Sequence, residues 1–426
     1  MNAASIVDEF EWRGMLYDVT DGARDMFARE RVTAYVGFDP TASSLHVGSL
    51  LPIMALARLQ RAGHSPIALV GGGTGLIGDP SGKSQERTLL SMEEVDRNLA
   101  GMRAQLERFL DFDAAPNPAR LINNADWLRS ITLLEFLRDT GKHFTVNYML
   151  AKESVKRRLG GEEGISFTEF SYLLLQAHDY LVLHERFGCT LQMGGSDQWG
   201  NITAGCDLIR KMAGGKAHGL VLPLVTTSAG TKFGKTEAGT VWLDPARTSP
   251  FRFYQFWLNT DDRDVAKYLK FFTWLDPPAI EELERAVVEA PEAREAQRRL
   301  AREVTAMVHG AEELQRAERA SQILFGGSLM DASPSDLLMV FEDVPSTTMT
   351  QSALLGSTVA AAAYSAGLAA SKGEAGRLIK QGGIYLNGER VTDDRRLLTS
   401  DDTIGGRLVV FQKGQRERRL VRIEGE

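Results

Sequence analysis

A Rossmann-like α/β fold on a parallel sheet, followed by an α-helical domain and a small α+β domain, is the architecture this 426-residue sequence predicts. Three observations predict it. Short β-branched or apolar runs at 31–38, 66–70, 120–123, 190–193 and 220–226 alternate with stretches of helical periodicity, the pattern of βα units. From 249 to about 325 strand runs stop, and Trp, Phe and Leu recur among Glu, Arg and Ala. The final block carries helix-like segments and then a hairpin at 382–391 on the turn Asn387-Gly388.

Along the chain, residues 1–30 read as amphipathic helix, with Ile6, Phe10, Met15, Leu16, Met26 and Phe27 among charges. The strand at 31–38 runs into a loop, Asp39-Pro40-Thr41-Ala42-Ser43-Ser44, and then a helix through Gln60. Pro52 fits only a first turn, so the helix starts near Ser49 and His46 stands at its mouth. The strand at 66–70 ends in a glycine-rich run whose Gly73, Gly75 and Gly78 match GxGxxG, but Pro80 turns the chain away from the helix a dinucleotide site requires. The expected divisions are 1–245 for the α/β domain, 246–330 for the helices, 331–352 for a linker rich in Gly, Ser, Pro, Asp and Thr, and 353–426 for the last domain.

Composition excludes several classes. No run of about 18 apolar residues is present, and the start lacks the basic-then-apolar order of a secretory signal, so a cytoplasmic protein without a membrane span is expected. Cys189 and Cys206 are too few for a disulfide framework, and they and the seven scattered His lack metal-ligand spacing, so no protein-bound metal is expected. A net charge of −7 argues against wholesale coating by nucleic acid. After Thr350, however, 12 Lys and Arg face 9 Asp and Glu, leaving room for a local basic surface.

Two stretches have the chemistry of a phosphate clamp. His46-Val47-Gly48-Ser49 opens a helix beyond a parallel strand, where free N–H groups meet anions; Thr41 and His46 can donate, and Gly48 leaves bare backbone. Lys232-Phe233-Gly234-Lys235-Thr236 lies in a glycine-bearing loop, 230–239, able to close over phosphates. A helix cap with a packed imidazole and a solvated loop are the bland alternatives. Tyr172, Gln176 and Asp179 fall at i, i+4 and i+7 on an apolar helix, forming a polar stripe that must be satisfied internally or by a ligand. Gly194-Gly195-Ser196-Asp197-Gln198 is a strand-end turn with an acid suited to ribose hydroxyls, or a plain turn.

Together with Tyr35-Val36-Gly37-Phe38-Asp39-Pro40-Thr41 and the run 75–83, these motifs in this order resemble the bacterial tyrosyl-tRNA synthetases of class I over nearly the whole chain. The resemblance implies that Tyr35 and Asp179 bind a substrate phenol, that Asp79, Tyr172 and Gln176 hold its ammonium, and that Gln198 lies near its carboxylate. Thr41, His46, Lys232, Lys235 and Thr236 would act on the γ-phosphate of ATP, with Lys83 and Arg87 as further cations. Asp39, Gly48, Ser49, Gly195 and Asp197 would contact the nucleotide, which enters with Mg2+. Ser49 stands where the class commonly has a second His, and is expected to cap the helix and reach a ribose oxygen. The terminal block resembles a small RNA-binding domain first named from a ribosomal protein, with Arg377, Lys380 and Arg390 as phosphate contacts for tRNA(Tyr) and the basic stretch 413–422 extending them. The family pairs as a homodimer near Phe167. A tryptophan–tRNA ligase, and an RNA-binding regulator on the same scaffold, are the alternatives.

Overall fold

The computed structural model describes all residues except 1–4, 82–89, 162–163, 232, 237–238, 325–327, 343, 415–416 and 425–426. Two compact units emerge, one of residues 1–248 and 256–308, the other of 249–255 and 309–426.

The first unit is built on a sheet of β1 (Asp18–Val19), β2 (Thr33–Phe38), β3 (Ser65–Val70), β4 (Arg120–Asn123), β5 (Leu191–Gly195) and β6 (His218–Leu222), in the order β1-β6-β5-β2-β3-β4. All neighbours are parallel except β1, an antiparallel edge on β6. The central strands are buried on both faces, which explains their continuous apolar runs. From β2 the chain proceeds to β3 on one side, while β5 pairs on the other, so a crevice opens beyond the carboxyl ends of β2 and β5.

The helices that deliver the site are set by their ends. Leu50–Arg61 has Pro52 in its first turn and buries ten of its residues. Phe167–Phe187 starts on Ser166, whose hydroxyl accepts from the Glu169 N–H at 3.2 Å, and its apolar face joins a core with Ile67, Leu69 and Trp127. Met92–Leu106 begins with a reciprocal Ser91/Glu94 capping box. One of its faces holds the loop after β2. Asn98 donates to the Pro40 carbonyl at 2.9 Å, Gln105 accepts from the Leu45 N–H at 2.8 Å and donates to Ser44 at 3.0 Å, and Gly101 lies against the Ser43 carbonyl.

Two expectations need correction. Residues 1–30 are not one helix but Ile6–Trp12 and Ala23–Arg29, separated by β1 and by turns at Gly14 and Gly22, whose φ values of 70° and 83° interrupt any helix. Nor is 331–352 mostly linker, although packing of 337–341 was expected within it. Pro334–Val340 is a helix whose Leu337, with Phe341 just beyond, packs on Leu408, Val410 and Leu420, and Ser346–Thr350 is strand β9. It pairs in parallel with β13 (Glu417–Glu424), in a second sheet with β10 (Ile384–Leu386), β11 (Glu389–Arg390) and β12 (Leu408–Lys413), ordered β11-β10-β12-β13-β9. The Asn387-Gly388 turn joins β10 to β11, with φ of 48° and 87°, as expected.

Gly101→Ala tests the grip on the loop after β2. Mid-helix Ala normally stabilises, but here its methyl would collide with the Ser43 carbonyl, so a loss of about 1–3 kcal/mol in thermal or denaturant unfolding is expected.

Candidate active site

A cleft of about 560 Å3 opens at the carboxyl ends of the strands of the first unit. It is lined by Tyr35, Asp39, Thr41, His46, Gly48, Asp79, Tyr172, Gln176, Asp179, Gly195, Asp197 and Gln198, twelve residues that the sequence singled out from five separate segments.

At one end lies Asp179, 2 % exposed, on the helix Phe167–Phe187. Its two carboxylate oxygens accept from Asn124 Nδ2 at 2.8 Å and from Trp127 Nε1 at 2.7 Å. Asn124 is itself fixed, donating to Thr74 Oγ1 at 2.9 Å and accepting from the Gly73 N–H at 2.8 Å. Burial lifts the Asp179 pKa to about 7 despite these two donors, and Asp39 adds to the rise. Tyr35 is 1 % exposed, and its hydroxyl has no hydrogen-bond partner among the described residues. Burial and the neighbouring Asp179 hold that phenol well above its ordinary pKa, so it stays a donor. Its ring packs edge-on against Tyr180 at 5.3 Å. Gln192, opposite Tyr35 in the β2–β5 register, also lines the cleft, and its buried Oε1 lacks a partner among the described residues.

Further along, a polar network replaces the apolar wall. Asp79 accepts from the Ser81 N–H at 2.9 Å and from Gln198 Nε2 at 2.7 Å. Gln198 Oε1 in turn accepts from Gln176 Nε2 and Asn201 Nδ2, each at 3.2 Å, and Asn201 also donates to Gln176 Oε1 at 3.0 Å. Tyr172 closes this side, buried one helical turn before Gln176. Gln198 and the Ser81 N–H together fix the Asp79 carboxylate, and Gln176 and Asn201 in turn fix Gln198.

At the mouth, the two clamp motifs meet. His46 is extended and caps the turn Val47–Ser49, its Nδ1 accepting from the Gly48 N–H at 3.0 Å. That bond leaves the ring proton on Nε2 as a donor. Gly48 is required, because a Cβ there would lie 2.7 Å from the imidazole. Residues Val241 and Leu243 bond to Val47 and Leu45, and His46 bridges Trp242, so the far end of the second motif's loop is tied to the first motif. Gly234, at φ 79°, sits directly on Val47.

Not every expected residue converges. Lys83, Arg87 and Lys232 lie outside the described residues. Lys235 and Thr236 are exposed on a small hairpin, β7 (Lys235–Thr236) and β8 (Gly239–Thr240), where Lys235 donates to Thr240 Oγ1 at 2.7 Å and Thr236 to the Gly239 carbonyl at 3.1 Å. Ser49 neither caps the helix with its side chain nor lines the cleft, because His46 takes the capping role three residues earlier. In the second unit, Arg377 is exposed and Lys380 pairs with Asp394 at 3.1 Å. Arg390 instead donates to the Gly382 carbonyl at 2.9 Å, fastening its hairpin to the end of the helix Lys372–Lys380. Asn124, Trp127 and Gln192 were missed. The one available signal was an Asn pair at the end of a parallel strand.

Residues 28–326 match the family model described as tRNA synthetases class I (W and Y), and residues 336–421 match the Tyrosine--tRNA ligase SYY-like C-terminal domain. The tyrosine–tRNA ligase of Roseiflexus castenholzii is 59 % identical over 421 residues, covering 98 % of this chain and 99 % of that one. The chain belongs to the tyrosine–tRNA ligase family. The ligase of Geobacillus stearothermophilus is 53 % identical over the same shares of both chains. Among solved structures, a C-terminally truncated mitochondrial tyrosyl-tRNA synthetase of Aspergillus nidulans superposes with TM-score 0.68 at 34 % identity, covering 75 % of this chain and 94 % of that one. A tryptophanyl-tRNA synthetase of Encephalitozoon cuniculi, at 15 % identity and TM-score 0.53, shares the fold alone. Both cysteines are free thiols, and among the described residues no helix is long and apolar enough to cross a membrane.

The raised pKa of Asp179 has a stability signature. Between 3.8 and about 7 the folded chain holds a proton that the unfolded chain has released, so the contribution is full below pH 4 and is lost as pH rises through 7. Relative to Asp179→Asn, the wild type should lose about 1 kcal/mol of unfolding free energy between pH 6 and pH 8.

Proposed function

We propose that this chain activates L-tyrosine with ATP to tyrosyl adenylate and pyrophosphate, and then transfers the tyrosyl group to a ribose hydroxyl of the terminal adenosine of tRNA(Tyr). The observation that carries the substrate choice is the buried pair at the end of the cleft. Tyr35 offers a hydroxyl without a partner among the described residues, and Asp179 offers a carboxylate held by two donors. A substrate phenol completes both: its O–H donates to Asp179, and its oxygen accepts from Tyr35. Phenylalanine leaves the Tyr35 hydroxyl unpaired, at a cost of about 1–3 kcal/mol, and gives Asp179 no donor beyond Asn124 and Trp127.

The other end of the amino acid follows from the polar network. Its ammonium group sits on Asp79, Tyr172 and Gln176, which leaves the carboxylate near Gln198 and facing the clamp. That carboxylate is ionised at neutral pH, so no general base is needed. One of its oxygens bonds to the α-phosphorus, the bond to the bridging oxygen breaks, and pyrophosphate leaves with the electron pair. Alignment and charge placement supply the rate. Asp39, Gly48, Gly195 and Asp197 hold the nucleotide, which arrives as its Mg2+ complex. Thr41 and the Nε2–H of His46 donate to the departing phosphates. Lys235 and Thr236 reach them only by leaving their hairpin partners, while Lys83, Arg87 and Lys232 complete the cationic set.

We assign tRNA contact in the second unit to Arg377 and Lys380 with the basic strand β13, in the cytoplasm where the tRNA is charged. Arg390 supports that surface rather than reading it. Pairing of two copies is supported by exposed apolar side chains in the segment between β4 and β5: Leu133, Leu134 and Val146, with Phe167 at 75 % exposure.

Tyr35→Phe should lower the preference for tyrosine over phenylalanine in amino-acid-dependent ATP–pyrophosphate exchange by roughly 5- to 100-fold. An unchanged ratio would remove Tyr35 from the pocket. Phe167→Asp should shift the sedimentation coefficient from that of a pair to that of a single chain.

A further inference from the structure

The loop carrying the second clamp motif is held by one face of the helix Asp262–Phe272. Asp264, Tyr268 and Phe272 lie at i, i+4 and i+8, and all three reach the same loop. The buried Asp264 carboxylate accepts from the Ser228 N–H through both oxygens, at 3.0 and 2.9 Å, and from the Ser228 hydroxyl at 3.1 Å. Tyr268 donates to the Thr226 carbonyl at 3.4 Å. Phe233 stacks on Phe272 at 5.5 Å and lies 4.9 Å from Tyr268 and 5.6 Å from both Phe256 and Trp257.

The same helix also carries the first motif. Arg58, on the helix that His46 and Gly48 open, donates to the Thr273 carbonyl at the end of Asp262–Phe272, and Arg13 donates to Lys270 and Thr273 beside it. Both halves of the clamp are thus referenced to one rigid element. Between Phe233, which is caged, and 241–243, which are bonded to 45–47, Lys235, Thr236 and Gly239 are the exposed positions among the described residues.

We propose that Asp264 is a positioning residue for adenylate formation, fixing the root of the loop so that Lys235 and Thr236 turn about Gly234 onto the phosphates. It acts through the Ser228 backbone and touches neither substrate. This inference rests on the tyrosine-activating function proposed above.

The test is tyrosine-dependent ATP–pyrophosphate exchange with the full chain, as wild type, Asp264→Asn, Lys235→Ala and the double variant. Asp264→Asn keeps the shape but sets an amide N–H against the Ser228 N–H, and kcat should fall about 10- to 100-fold with KM for tyrosine changing less than about twofold. In the Lys235→Ala background the same change should cost less than about threefold, because the aimed cation is already gone and Thr236 alone remains to be placed. An equal fall in both backgrounds, or a KM for tyrosine that rises in step, would overturn the assignment. If Asp264→Asn does not fold, Ser228→Pro removes the donor from the exposed side of the same contact and should give the same split. A wild type without exchange activity would instead refute the proposed function, whereas an active wild type with an unaffected Asp264→Asn refutes only the role of Asp264.

Discussion

A carboxylate buried as deeply as Asp179 is costly unless both oxygens are satisfied, and much of the first unit is arranged around that requirement. Trp127 and Asn124 come from just beyond β4, and Asn124 is fixed by the turn after β3. These contacts require β2, β3 and β4 to lie side by side in parallel, which brings Tyr35 to the same end of the cleft. In the proposed function, substrate selection is therefore a property of the sheet's order rather than of a single loop. The local electrostatics bear on the same point: burial raises the Asp179 pKa, and each hydrogen bond donated to the carboxylate, as from Asn124 and Trp127, favours its charged form.

The end of the cleft to which we assign the phosphates is built on a different principle. Instead of deep burial it uses backbone placement, with a histidine at the head of a helix, a glycine where a methyl group would strike the imidazole, and a bridge from His46 to Trp242. Rigid roots and an exposed hairpin tip divide the labour. In the proposed function the first keeps donors aimed at a fixed point, and the second carries Lys235, held on Thr240 until it is needed.

Much of this was legible in the sequence because it is written in short periods. The stripe Tyr172, Gln176, Asp179 follows helical spacing, and the loop motifs sit directly after apolar runs. Asn124, Trp127 and Gln192 were not legible, since their importance arises from strand register and from helix packing across more than 50 residues. Strand β9 was hidden for a related reason: Ser-Thr-Thr-Met-Thr has little hydrophobic signal, and its partner is β13, some 70 residues later. Ser49 was misread because a helix cap depends on φ and ψ, and the tight turn Val47–Ser49 moves that role to His46. For Lys235, the bond of its side chain to Thr240 is a matter of hairpin geometry that residue spacing does not reveal.

The division of the chain at 248/249, 255/256 and 308/309 has a topological consequence. The polypeptide passes from one compact body to the other three times, and the helix Pro250–Leu258 contributes residues to both. No single scission can release either body whole: a fragment ending at 308 retains seven residues foreign to it, and one starting at 309 is missing the same seven. Evolutionary exchange of the carboxyl-terminal body by simple fusion would thus have to preserve a short segment lying upstream of the joint.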